Sequence, residues 1–146
     1  MDILLFFKNI RSERKELISM RLHKEDVRLS LLPGAIDYSK DKVQSTPGDP
    51  MIHMMERLEK IEVQEKMCQD KILADIQTAN DIINAMPTAE YRTIIRLRYI
   101  DGDRPMSWQD IALEMDRDPV DLRGRMHGLA IAEAREAAKK LHGTTK

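Results

Sequence analysis

The chain of 146 residues has little of what cross-links loops, turns the backbone or builds an aromatic core. Its one cysteine, Cys68, rules out an internal disulfide and fits a reducing compartment. It has six glycines and six prolines, and only 4% of its residues are aromatic, whereas 34% are charged and 42% are hydrophobic. This mixture predicts an all-α protein whose long helices keep one solvated face.

The sequence also lacks a long hydrophobic run, which excludes a transmembrane helix. The apolar segment at residues 3–7 is five residues long, follows Asp2 and precedes no cleavage site. Because it is too short for the core of a signal peptide, we expect the protein to stay in the cytoplasm, without a membrane partner.

The sequence also lacks an excess of positive or negative charge, since its formal net charge is -1. This balance alone argues against nucleic-acid binding. The acidic excess falls in residues 31–87, whereas residues 88–146 are nearly neutral and gather arginines around one predicted turn. Electrostatics therefore leave the nature of the partner open.

Two long helices are predicted before that region, separated by a linker. Apolar residues recur at helical spacing through residues 1–32, which predicts an N-terminal amphipathic helix. Residues 33–50 contain three prolines and two glycines and predict a linker with turns. Pro50 suits the first turn of the second helix, where its missing N–H costs nothing.

Residues 51–87 show the apolar seam of a coiled coil or bundle, interrupted by Glu65 and Asp75. Seams on two long helices, with little globular mass to cover them, predict a homo-oligomer, most simply a dimer. The residues expected at the interface between copies are Met54, Leu58, Ile61, Ile72 and Ile82.

Residues 88–146 predict three helices that form a helix-turn-helix module. Ser107 and Asp118 are expected as N-caps, and Gly102 as a left-handed residue that ends the first helix. In the turn between the last two helices, Asp116 stands where a left-handed conformation is needed. Ala112 supplies the small residue required where those helices cross.

Residues 91–112 carry a recognisable pattern: Tyr91-Arg92, then Leu97-Arg98-Tyr99-Ile100-Asp101-Gly102, then Ser107-Trp108-Gln109-Asp110-Ile111-Ala112. It resembles the helix-turn-helix of sigma factor region 4. More narrowly, it is similar to phage-encoded regulators of the ArpU and RinA kind, over about the last 55 residues. The resemblance implies a regulator of late phage transcription that binds promoter DNA, with the host RNA polymerase as a further partner.

In the register of such a module, the last helix would enter the major groove. The residues expected to read bases are Val120, Asp121, Arg123, Gly124 and His127, and those expected to contact phosphates are Ser107, Gln109, Arg117 and Arg125. Two residues depart from the pattern. Arg117 occupies a usually apolar turn position, and Arg125 stands where a second anchor is expected after Leu122. Either Met126 takes that anchoring role through a one-residue adjustment, or the helix docks less tightly.

Other functions remain as alternatives. The module could dock on RNA polymerase or another protein without reading bases, belong to a small terminase subunit, or be a three-helix bundle with no nucleic-acid role. The four histidines are too widely spaced for a metal site, and no nucleophile or phosphate-binding motif occurs. We therefore expect no enzyme activity, no metal and no cofactor.

Overall fold

The computed structural model describes residues 1–31 and 49–143, and within these ranges the chain is helical without strands. The five helices are α1 (Ile3–Ser30), α2 (Asp49–Ala85), α3 (Ala89–Ile95, extended by a π-helical turn at Arg96–Ile100), α4 (Trp108–Met115) and α5 (Pro119–Asp121, a π-helical turn at Leu122–Met126, and His127–Gly143). The predicted all-α fold is confirmed. The predicted linker lies almost wholly outside the described residues. None of the described helices is both long enough and apolar enough to cross a membrane.

Local side-chain chemistry sets where the helices begin. Asp2 caps α1, because its Oδ1 accepts hydrogen bonds from the amides of Leu4 (3.1 Å) and Leu5 (3.2 Å). Ser107 caps α4 as predicted, with Oγ accepting from the amide of Asp110 at 3.1 Å. Thr88 precedes α3 but does not cap it. Its amide and hydroxyl instead donate to the carboxylate of Glu133 at 2.7 and 2.8 Å, which ties the start of α3 to α5.

The chain divides into two compact units, and the division differs from the expected one. Unit 1 comprises Met1–Lys15 and Ile72–Lys146, and unit 2 comprises Glu16–Lys71. The boundaries expected after residues 32 and 87 therefore do not separate a lone N-terminal helix from a self-contained module. Instead, α1 and α2 each contribute residues to both units.

The core of unit 1 shows why the start of α1 belongs there. Its buried residues are Ile3, Phe7, Ile10, Ala79, Ile82, Ile83, Met86, Ile95, Tyr99, Ile100, Ala130, Ile131, Ala134, Ala137 and Ala138. The alanines of α5 are small enough for close helix approach, and the large side chains of this core come from α1, α2 and α3. Complete burial of Phe7 or Ile3 contributes roughly 1.5–3 kcal/mol each.

In unit 2 an ion-pair cluster joins α1 and α2. Nζ of Lys24 lies 2.6 Å from Oε2 of Glu65, and Nε of Arg21 lies 3.4 Å from Oε1. The hydrogen bond from Lys24 is the main reason that the pKa of Glu65 lies below its usual value. Glu65, which breaks the apolar pattern of α2, thus has a partner within the same chain.

The seam predicted between copies is largely covered by the chain itself. Ile61, Ile72 and Ile82 are buried at 7%, 5% and 1% exposure, while Met54 and Leu58 are half-buried. Ile82 belongs to the core of unit 1. This corrects the assignment of the three isoleucines to a surface between copies, because neighbouring helices of the same chain already shield them from water.

A buried arginine of α1 holds the end of α3. Arg11 is 6% exposed. Its guanidinium donates to the carbonyl oxygens of Arg98 (Nε, 3.1 Å), Asp101 (Nη2, 2.5 Å) and Gly102 (Nη1, 2.5 Å). Gly102 has the predicted left-handed conformation, with φ of 71°. Carbonyl groups at the C-terminal end of a helix have no hydrogen-bond donor within the helix. Arg11 supplies donors to these carbonyls at the end of α3.

We expect Arg11→Met to destabilise the protein markedly. The substitution keeps much of the apolar stem but removes the charged donor from the carbonyls of Arg98 and Asp101, whereas Gly102 keeps its bond from Arg14. It should lower the free energy of unfolding by about 2–4 kcal/mol. Chemical denaturation followed by circular dichroism measures this change. Lys15→Met, which removes the same charge from an exposed position of α1, is the control and should change the free energy by less than about 0.5 kcal/mol. Equal effects of the two variants would contradict the assignment.

Candidate nucleic-acid interface

Helices α3, α4 and α5 pack around a second, smaller core. The buried residues of this core are Ile94, Ile111, Ala112, Leu122 and Met126. Ala112 is 3% exposed, in agreement with the small residue predicted where α4 and α5 meet. The three helices therefore form a helix-turn-helix arrangement with a shared apolar centre.

The turn between α4 and α5 has the predicted geometry. Asp116 adopts the left-handed conformation, with φ of 52° and ψ of 53°. The amide of Arg117 donates back to the carbonyl of Ala112 at 2.9 Å, which closes the end of α4. Asp118 stands at the predicted N-cap position of α5, but its side chain makes no capping hydrogen bond; only its backbone carbonyl accepts, from the amide of Leu122 at 2.9 Å.

A π-helical turn sets the register of α5. At Leu122–Met126 the amide of His127 donates to the carbonyl of Leu122, five residues earlier. Leu122 (0% exposed) and Met126 (3% exposed) are four residues apart, which places both on the face of α5 that meets the core. Of the two alternatives drawn from the sequence, Met126 thus takes the anchoring role, and Arg125 is exposed.

Four of the predicted contact residues line one shallow cleft between the starts of α4 and α5. They are Gln109, Val120, Arg123 and Gly124, and Trp108 and Pro119 complete the lining. The cleft has a volume of about 430 Å³ and is open to solvent. Val120 is 79% exposed although its side chain is apolar. The cleft therefore joins apolar, amide and guanidinium groups on one accessible surface.

The three arginines near α5 differ in their partners. Arg117 forms an ion pair with Glu90. Arg125 forms two hydrogen bonds of 2.9 Å with the carboxylate of Asp121, and these bonds hold the pKa of Asp121 below its usual value. Arg123 is exposed, with no carboxylate at ion-pair distance in the described part of the chain. Asp121 and Arg125 neutralise each other, so Arg123 is the cation of this group that remains available for a ligand.

His127 does not face outward, which corrects its predicted place on the exposed side. Its Nε2 lies 2.8 Å from the hydroxyl of Tyr99, and its ring meets Trp108 edge-on at 4.8 Å. The ring is half-buried, and this burial, followed by the nearby charges of Arg98 and Lys8, lowers its pKa. His127 is thus a packing residue that joins α3, α4 and α5.

Sequence reasoning assigned no role to Arg98, which supports one wall of the cleft. Its guanidinium lies 4.7 Å from the centre of the Trp108 ring, and Nη1 donates to the carbonyl of Met106 at 2.7 Å. No spacing rule pairs Arg98 with Trp108, because the loop between α3 and α4 brings them together. Ser107, predicted as a phosphate contact, is exposed beside them while its Oγ caps α4.

Comparison of this chain with protein-family models, with curated proteins and with solved structures finds no match. Among residues 1–31 and 49–143, no group of three or more histidine, cysteine or acidic side chains could hold a metal ion.

The burial of His127 predicts a pH dependence of stability. In the unfolded chain its pKa returns to the ordinary value of 6.5, so below that pH the unfolded state binds a proton that the folded state resists. Stability should therefore be complete above pH 6.5 and fall as the pH is lowered from 6.5 toward the folded pKa, by at most about 1.4 kcal/mol per pH unit. In His127→Gln, which retains an acceptor for Tyr99, this part of the slope should vanish.

Denaturation curves recorded between pH 5 and pH 8 on both proteins measure the difference. The matched control is His23→Gln, since His23 is exposed on α1. The assignment fails if His23→Gln flattens the pH slope as much as His127→Gln does.

Proposed function

We propose that this protein is a DNA-binding transcription regulator of phage or prophage genes, which acts in the cytoplasm of the bacterial host. The observation that carries the proposal is the cleft at the helix-turn-helix. There Gln109, Val120, Arg123 and Gly124, all expected at a DNA interface, lie together, and Arg123 has no described carboxylate partner. An enzyme activity has no comparable support.

The chemistry of the cleft fits the edge of duplex DNA. A major groove admits an α-helix, and the exposed start of α5 carries a planar guanidinium that can pair with O6 and N7 of guanine. Gln109 and Ser107 lie at the start of α4, where an amide and a hydroxyl can donate to phosphate oxygens. Base reading thus falls to α5, and positioning on the backbone to the start of α4.

The charge balance sets the expected strength of binding. Ion pairs occupy Arg117 and Arg125, so neither of these two cations displaces counterions from DNA while its pair is formed. Arg117 and Arg125 therefore contribute to phosphate contacts only if Glu90 and Asp121 release them. Non-specific affinity should be low, and recognition should depend on contacts such as that of Arg123.

Replacement of Arg123 is the direct test of this function. We expect the wild-type protein to bind duplex DNA from its own genome with an affinity that falls as salt rises. Arg123→Ala should relax the preference at one base pair by about 1–3 kcal/mol. Fluorescence anisotropy over a salt series, with fragments selected by the wild-type protein, measures both effects.

The control for this test is Arg135→Ala, which removes an exposed arginine elsewhere on α5, outside the cleft. It should bind like the wild type. Absence of salt-sensitive DNA binding at low ionic strength would refute the proposed function. Capture of RNA polymerase that persists in Arg123→Ala would instead favour a protein that docks without reading bases.

The proposed homo-oligomer needs a surface other than the buried isoleucines of α2. Another stripe of α2 within unit 2 leaves apolar side chains exposed: Ile52 (52%), Met55 (51%), Val63 (61%) and Met67 (67%). Clefts beside Val63 are lined by both acidic and basic residues, including Glu59, Lys60 and Lys66. A mixed surface of this kind suits a second copy of itself better than a partner of one charge. A dimer would bring two helix-turn-helix modules to one DNA site.

The substitution Val63→Glu tests this surface. A charge placed in the centre of an apolar contact should weaken self-association at least tenfold, whereas an exposed residue that faces only water tolerates it. Sedimentation velocity over a range of protein concentrations measures the shift. Leu113→Glu, at a residue of α4 that is 82% exposed, is the control. A wild-type protein that is monomeric at all concentrations would refute the homo-oligomer but not DNA binding.

A further inference from the structure

Three neighbouring residues of α5 contribute little to the chain's own stability. Val120 is apolar yet 79% exposed, so its side chain gains little from burial. Arg123 lacks a described carboxylate partner. Gly124 lies within a helix, where glycine is less favourable than alanine. All three line the same cleft, which makes an external ligand the common reason for them.

Gly124 is the strongest indication of an external ligand, because neither packing nor backbone conformation requires a glycine there. A Cβ built at this position would meet no atom within 4 Å, and the residue lies in a helical turn without a positive φ. The chain itself could therefore hold a larger residue at Gly124. A glycine at such a position leaves the backbone open to close approach by another molecule.

Gly128 provides the internal comparison. It has the same open surroundings, with no atom within 4 Å of a built Cβ, and it lies one turn later in α5. However, it does not line the cleft. The two glycines thus share open surroundings within α5, Gly124 in the π-helical turn and Gly128 in the α-helical part, and only Gly124 lines the candidate interface.

The chemistry of the cleft limits what the ligand can be. A matching ligand presents an apolar group to Val120 and a pair of coplanar hydrogen-bond acceptors to Arg123. On the major-groove edge of DNA, the C5 methyl of thymine is the apolar group, and O6 and N7 of guanine are the paired acceptors. Side chains three residues apart are neighbours on a helix surface, roughly 5–6 Å apart, so Val120 and Arg123 can contact the same stretch of one groove.

We propose that the cleft reads a thymine next to a guanine in the major groove. The methyl group packs on Val120, the guanine edge pairs with Arg123, and the bare α-carbon of Gly124 lets the DNA approach α5 closely. The proposal rests on the DNA-binding function proposed above and names the base pairs that this surface recognises.

The first experiment compares Gly124→Ala with Gly128→Ala. Both substitutions should raise the Tm by about 2–4 °C, because alanine favours the helix and neither Cβ meets a neighbour. Only Gly124→Ala should lose affinity for the DNA fragments that the wild-type protein selects, by about tenfold. A gain of stability together with a loss of binding cannot result from misfolding.

The second experiment changes the DNA instead of the protein. A randomised duplex pool selected with the wild-type protein identifies the preferred site. Uracil in place of its thymine removes only the methyl group, and 7-deazaguanine removes only N7. We expect each change to weaken wild-type binding roughly fivefold or more. Uracil should have no effect on Val120→Ala, and 7-deazaguanine none on Arg123→Ala.

The outcomes separate the two proposals. If the protein retains no duplex DNA, the DNA-binding function fails and this assignment fails with it. If the protein selects a DNA sequence but Gly124→Ala binds like the wild type, or uracil has no effect, the cleft assignment is overturned while the function stands. Equal losses of binding in Gly124→Ala and Gly128→Ala would also overturn it.

Discussion

The guanidinium of Arg11 is the contact on which the arrangement of unit 1 depends. A buried cation is costly unless its donors are used, and here three backbone carbonyls at the end of α3 accept from it. Arg14 donates to the carbonyl of Gly102 as well. The loop that leads from α3 into α4 is therefore fixed by α1, a helix from the opposite end of the chain. The helix-turn-helix module of residues 88–146 thus depends on α1, which lies outside it in the sequence.

A chain of ring contacts extends from this point toward the cleft. Phe7 stacks on Tyr99 with centroids 5.7 Å apart, Tyr99 contacts His127, and His127 meets Trp108, which lines the cleft. Arg98 lies over the same indole. One wall of the candidate interface therefore rests on packed aromatic groups, while its other wall, at the start of α5, is exposed. Such support favours a fixed surface, which recognition by a few contacts requires.

Much of the local structure was predictable because its causes lie within a few residues. Ser107 caps α4 through an amide three residues later, and Asp116 is left-handed where the turn requires it.

The register of α5 was open in the sequence, since either Met126 or a looser packing could follow Leu122. The structure decides for Met126, which is buried four residues after Leu122 on the same face of α5. The prediction that His127 faces outward was wrong because its hydrogen-bond partner, the hydroxyl of Tyr99, lies in another helix.

The sequence by itself determined the all-α class, the cap of α4 and the helix-turn-helix order, because backbone hydrogen bonds and caps act over short separations. Its low glycine, proline and aromatic content and its single cysteine excluded folds that depend on frequent turns, an aromatic core or disulfides. Tertiary structure decided which cations are available. Arg117 and Arg123 are the same residue type, yet of the two only Arg117 forms an ion pair with a described carboxylate, that of Glu90 in another helix. Contacts between residues far apart in sequence form only when the core brings their helices together, so composition and periodicity cannot reveal them.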